Sequence, residues 1–121
     1  MASELDDAFK VKVVAAILDA HPEKALALLS EHFHLDEPAI RVGVVKGRSK
    51  RVRAVYLRGR KEIMAAKREY LYDPFTVLHE FYHHLRYIGG EQRGTEKYAD
   101  RFALGFVEAY IRSRVKLKDK F

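Results

Sequence analysis

With 121 residues, 48% of them hydrophobic and 33% charged, the chain has the size of one domain with a modest core and the balance of a packed protein rather than a disordered one. It has no cysteine, which excludes disulfides and any thiolate metal site, and no apolar run of membrane-spanning length. The net charge is +6, which leaves an acidic partner open, and the start Met1-Ala2-Ser3-Glu4-Leu5-Asp6-Asp7 lacks the basic n-region of a signal peptide, so a cytoplasmic location is expected.

Ser3 is a good N-cap, and Glu4, Asp6 and Asp7 suit the positive end of a following helix. Leu5, Phe9, Val13, Ala16 and Ile17 recur at helical spacing to about Asp19. Pro22 restarts a second helix at its first turn, with Ala25, Leu26, Leu28, Leu29 and Phe33 as its apolar face. Pro38 closes the helical region. Strands are expected over 40–45, 52–57 and 62–66, with a turn at Gly47-Arg48-Ser49-Lys50 and a tight connection at Arg58-Gly59-Arg60. Strands spaced so closely predict a small antiparallel or mixed sheet. Their order is not legible.

Asp73-Pro74 predicts a helix start, and Phe75, Val77, Leu78, Phe81, Tyr82, Leu85 and Ile88 give that helix a wide apolar arc. A narrower polar arc carries His79-Glu80-x-x-His83, an H-E-x-x-H run. Four helical residues turn about 400° and rise about 6 Å, so His79 and His83 stand on one face and can each give a nitrogen to one ion. Glu80 then sits beside that ion, where its carboxylate can take a proton from an activated water. His84 lies about 100° further round and is not counted as a ligand. Gly89-Gly90 ends the helix.

A last helix follows, capped by Thr95, and Glu96 at its start is the expected third ligand. Ala99 and Ala103 share its face, so this helix can come close to the histidine helix. Asp100, one turn on, is placed to accept the remaining ring N–H of a ligand histidine. First-turn acids favoured by the helix dipole are the competing account of Glu96 and Asp100. His21, His32 and His34 are expected in solvated or capping roles, although His32 or His34 would close a four-ligand structural site if their loop folded over it.

From Arg41 to Arg68 eleven basic residues face the single acid Glu62. Nucleic acid is one partner for such a block; a solvated face is the favoured account, since no recognition helix or aromatic stacking pattern accompanies it. The absence of asparagine and the single Gln92 suit a thermophilic source.

His79-Glu80-x-x-His83 followed by Glu96-x-x-x-Asp100 resembles the gluzincin group of zinc peptidases, and the small size and element order most resemble the archaeal minigluzincins. The likeness is specific over residues 73–106. It implies an α+β, zincin-like domain over 1–121: N-terminal helices, a three-stranded sheet, the H-E-x-x-H helix and a C-terminal glutamate helix. It also implies one Zn2+ per chain on His79, His83 and Glu96, with Glu80 as general base and then acid in hydrolysis of a peptide or protein substrate. Asp100 would support a ligand histidine. Substrate would lie as an added strand on the exposed sheet edge, expected at Glu62 to Ala66 and centred on Ile63, Met64 and Ala65. Larger gluzincins stabilise the oxyanion from a second subdomain that this chain has no room for, leaving Tyr87 and Tyr98 as candidates by sequence proximity. The small family further implies a latent, zymogen-like homo-oligomer whose cleft is blocked by a segment of the same or a neighbouring chain. Residues 114–121 are the candidate blocker, extended and with Asp119 in reach of a metal; a frayed, solvated tail is the competing account. A metal fold used for nucleic acid or repressor binding, and a structural zinc protein without turnover, are the alternatives.

Overall fold

The computed structural model describes residues 6–43, 53–89 and 96–119, the last with side chains to 116. Helix α1 (Asp7–Leu18) and helix α2 (Pro22–Phe33) come first. They are followed by strands β1 (Ala39–Val42), β2 (Ala54–Leu57) and β3 (Glu62–Ala65), then α3 (Pro74–Ile88) and α4 (Glu96–Asp119). Short 3-10 turns at Arg58–Arg60 and Arg68–Tyr72 make the tight connections around β3.

The cap of α1 is Asp6 rather than Ser3, which lies outside the described residues with Leu5: the Asp6 carboxylate accepts from the Phe9 N–H at 2.8 Å. An aspartate one residue before the helix adds its charge to that hydrogen bond at the positive helix end. Pro22 and Pro74 both occupy first-turn positions, where a missing N–H costs nothing. Asp73 does not cap through a backbone N–H. Its carboxylate instead accepts from the Thr76 hydroxyl at 2.6 Å and faces Arg53 at 3.7 Å. α3 ends at Gly89 as expected, with φ −73°; Gly90 lies outside the described residues.

The sheet is mixed, in the order β1-β3-β2, with β1 parallel and β2 antiparallel to β3. This corrects the expected substrate edge. Ile63, Met64 and Ala65 lie on the central strand, buried and hydrogen-bonded on both sides, so their backbone cannot accept an added strand. Among the described residues, the edge strands are β1 and β2. Residues 44–52, with the expected turn and the outer ends of two expected strands, lie outside the described residues.

One face of the sheet packs Ala54, Ile63 and Ala65 against Val13 and Ile17 of α1, Leu26 and Leu29 of α2, Val77, Leu78 and Phe81 of α3, and Ala103 and Phe106 of α4. The histidine helix is therefore central, as its wide apolar arc predicts. Part of the basic block is engaged within the fold. Arg41 meets Glu62 at 3.3 Å, and Arg68 grips both carboxylate oxygens of Glu23 at 2.7 and 3.0 Å.

The C-terminal segment is also corrected. Val115 to Asp119 continue α4 and are not extended. A 24-residue helix separates its ends by about 35 Å, so Asp119 cannot reach donors grouped around Glu96 of its own chain. A growing helix adds each residue at little cost once its nucleus is anchored, and Lys116, Leu117 and Lys118 of this run are good helix formers.

Candidate metal centre

His79 and His83 project from one side of α3, and Glu96 stands at the first residue of α4. Ala99 and Ala103 have no exposed surface, and their small side chains let α4 lie close against α3. Glu96 consequently reaches across to both imidazoles: Oε2 lies 2.6 Å from His79 Nε2, and Oε1 3.2 Å from His83 Nε2. The donor atoms of the three residues all lie within 4.8 Å of one another, so the group can hold one metal ion. Among the described residues it is the one such group.

The chemistry of this donor set favours a cation. Asp100 Oδ1 is 2.9 Å from His79 Nδ1, so the ring donates there and turns the lone pair of Nε2 toward Glu96. A lone pair and a carboxylate oxygen at 2.6 Å repel unless a positive charge is shared between them. A proton or a metal ion meets that need. Burial pushes His83 below its ordinary value, against the pull of Glu96, which keeps its ring neutral and able to ligate. Both histidines of the group are mostly buried, whereas the Glu96 side chain is 75% exposed, so one side of the group opens to the cleft.

That cleft, of about 610 Å3, is lined by β2 with Arg58 on one side and by His79, Glu80, His83 and Glu96 on the other. Glu80 is buried to 8% exposure and still lines it, which sets a carboxylate beside the donor group rather than in it. The expected metal ligands, the expected base and the supporting Asp100 are thus brought together.

Other candidates lie elsewhere. His32 stacks on Phe9 at 4.7 Å, and His34 forms the left-handed cap of α2 with φ 58°, so neither joins the metal group. Tyr98 is half exposed beside Arg101, Tyr87 packs near Tyr56, and neither lines the cleft. The tyrosine on the cleft wall is Tyr56, from β2. Its hydroxyl is 2.6 Å from His84 Nδ1, and His84 Nε2 is 2.7 Å from the Asp36 carbonyl. A carbonyl can only accept, so Nε2 carries the ring hydrogen and Tyr56 donates to Nδ1. Burial holds His84 below its ordinary value and pushes the Tyr56 phenol up to about 12, so both groups stay neutral. His84 is therefore a fully buried link between α3, β2 and the loop before β1.

Sequence reasoning missed Tyr56 and Arg58. The signal that finds them is the strand order, which makes β2 the edge beside the histidine helix. No family model, curated protein or solved structure matches the chain.

Proposed function

We propose that this chain is a zinc-dependent endopeptidase of gluzincin type. The observation that carries the proposal is the convergence of His79, His83 and Glu96 on one point, with Asp100 fixing His79 and the Glu80 carboxylate lining the same cleft. Two imidazoles and a carboxylate are the donor set of a catalytic zinc with a position left open. When bound, zinc supplies Lewis acidity, polarising a peptide carbonyl and lowering the pKa of a water to about 7.

The chain's own residues supply the rest. His79 and His83 present lone pairs, and Asp100 keeps the first of them in the ligating tautomer. The Glu80 carboxylate takes the proton given up by the attacking water and returns it to the amine nitrogen of the departing strand. The outer edge of β2, Ala54 to Leu57, offers its free backbone groups to an extended peptide, in place of the central strand expected from the sequence. That edge lies along the cleft and holds the peptide next to Glu80.

The test is elemental analysis for zinc on the wild type, His83→Ala and Glu96→Ala, with casein cleavage measured on the same samples and on Glu80→Gln. One zinc per chain, lost in both ligand variants, is expected, together with cleavage that Glu80→Gln abolishes while retaining zinc. Zinc bound without cleavage by the wild type would reduce the proposal to a structural metal site, and no zinc after reconstitution would overturn it.

A further inference from the structure

The described arginines of the sheet region fall into two groups. Arg41, Arg53 and Arg68 each face a carboxylate of the fold: Glu62, Asp73 and Glu23. Among the described residues no ion pair or side-chain hydrogen bond engages the guanidinium of Arg58 or Arg60, and of these two only Arg58 lines the cleft. Arg58 shares that cleft with the donor group, yet it forms no ion pair with Glu96, which faces the two imidazoles instead.

Arg58 follows Leu57 directly, at the end of the edge strand β2. Four strand residues span about 13 Å, so a peptide lying along the whole of β2 keeps at least one residue within reach of a side chain at the strand's end. What an unengaged guanidinium offers there is a rigid fork of donors suited to a carboxylate. The opposite wall uses its own carboxylates for the metal and for proton transfer, which leaves Arg58 free for a ligand.

We propose that Arg58 is a carboxylate anchor at one end of the cleft, selecting peptides that bring an acidic side chain or a free C-terminal carboxylate next to the end of β2. The occupant, a peptide, rests on the peptidase reading above; the anchor itself rests on the place of Arg58 in the cleft. Arg58 is a specificity-determining residue and takes no part in proton transfer.

Binding tests this apart from turnover. Zinc-loaded Glu80→Gln protein is titrated into rhodamine-labelled octapeptides, followed by fluorescence anisotropy. One set is amidated at the C-terminus and carries a single Glu at each position in turn, a second replaces Glu by Gln, and a third is the Gln peptide with a free C-terminus. At low salt, the best Glu peptide or the free C-terminal peptide should bind about tenfold more tightly than its neutral counterpart, and the difference should shrink as salt is raised. Whichever of the two shows it identifies the source of the carboxylate. Arg58→Ala should erase the preference, and Arg58→Lys should keep part of it. Equal binding of all probes, absence of binding included, or a preference that survives Arg58→Ala, would overturn the anchor. Failure of the peptidase reading shows elsewhere, as intact probes after incubation with the wild type while the binding differences persist.

Discussion

Asp100 Oδ1 lies 2.9 Å from His79 Nδ1, across the interface of the two helices that carry the candidate metal donors. The contact does two things at once: it fixes which nitrogen of His79 is free, and it adds negative charge behind a ring that must donate electron density. Asp100→Ala should lower zinc affinity by about 10–100-fold. Because the Asp100 side chain is 49% exposed, the metal-free protein should lose less than about 1 kcal/mol of stability. Competition with a chromophoric chelator, alongside urea unfolding of the metal-free protein, separates these two effects. An unchanged zinc affinity would mean that His79 holds its tautomer without help.

The hydroxyl of Tyr56 is a second such link, and it is structural before it is functional. His84 has no exposed surface and relies on Tyr56 for the partner of Nδ1. Tyr56→Phe removes that donor and leaves a buried acceptor unsatisfied, at a cost of about 1–3 kcal/mol. Urea unfolding should show the midpoint falling with the slope unchanged. Zinc affinity should stay close to that of the wild type, because neither residue belongs to the donor group. A stable Tyr56→Phe protein would show that another group reaches His84 Nδ1.

The difference between these two contacts explains what was legible in the sequence. The donors could be read because their geometry is local: the spacing of His79 and His83 is set by one helix, and Ala99, Asp100 and Ala103 count off from Glu96 on another. The link between Tyr56 and His84 joins residues 28 apart on different elements, and no periodicity signals it. Strand order is hidden for the same reason. β1 pairs in parallel with β3, skipping β2, and that choice comes from how three short strands share one set of helices. From the sequence alone β3 is as good an edge as any, which points to Ile63 to Ala65 for substrate and gives Arg58 no place in the site. The end of α4 shows a further limit. Residues 111–116 are mostly exposed and so carry no core-facing pattern to mark a helix; they hold the conformation begun by the preceding turns, which bury Ala99, Ala103, Phe106 and Ala109.

That anchored beginning of α4 can be tested directly. Ala99 is fully buried where α4 meets α3, and a larger side chain there must push the helices apart. Ala99→Leu should cost about 1–3 kcal/mol through overpacking. It should also weaken zinc binding, since Glu96 is three residues away on the same helix and must span the widened gap. Lys97→Leu, on the exposed face, should leave stability within about 0.5 kcal/mol of the wild type. Urea midpoints and zinc content measured on both variants check the pair. Full zinc retention in a destabilised Ala99→Leu protein would mean that Glu96 follows α3 independently of helix packing.

Far from the metal group, Arg68 ties the 3-10 turn before α3 to the first turn of α2 by gripping Glu23 through two hydrogen bonds. Those hydrogen bonds hold the Glu23 carboxyl below its ordinary value of 4.5, with the unfolded chain keeping the ordinary value. Between the two values the unfolded chain binds more protons, so stability rises with pH across that window. The contribution is therefore fully present above about pH 4.5 and is lost as pH falls through the lowered value. With the Glu23 side chain 58% exposed, solvent screening limits it to about 1 kcal/mol or less. Glu23→Gln should be less stable than the wild type at pH 7 by that small margin, and the two should converge as the pH is taken well below 4.5. Urea unfolding of both proteins at a series of pH values measures the gap. A difference that persisted in acid would show that the neutral groups, through packing against Tyr72 and the turn, carry the contact instead of the charge.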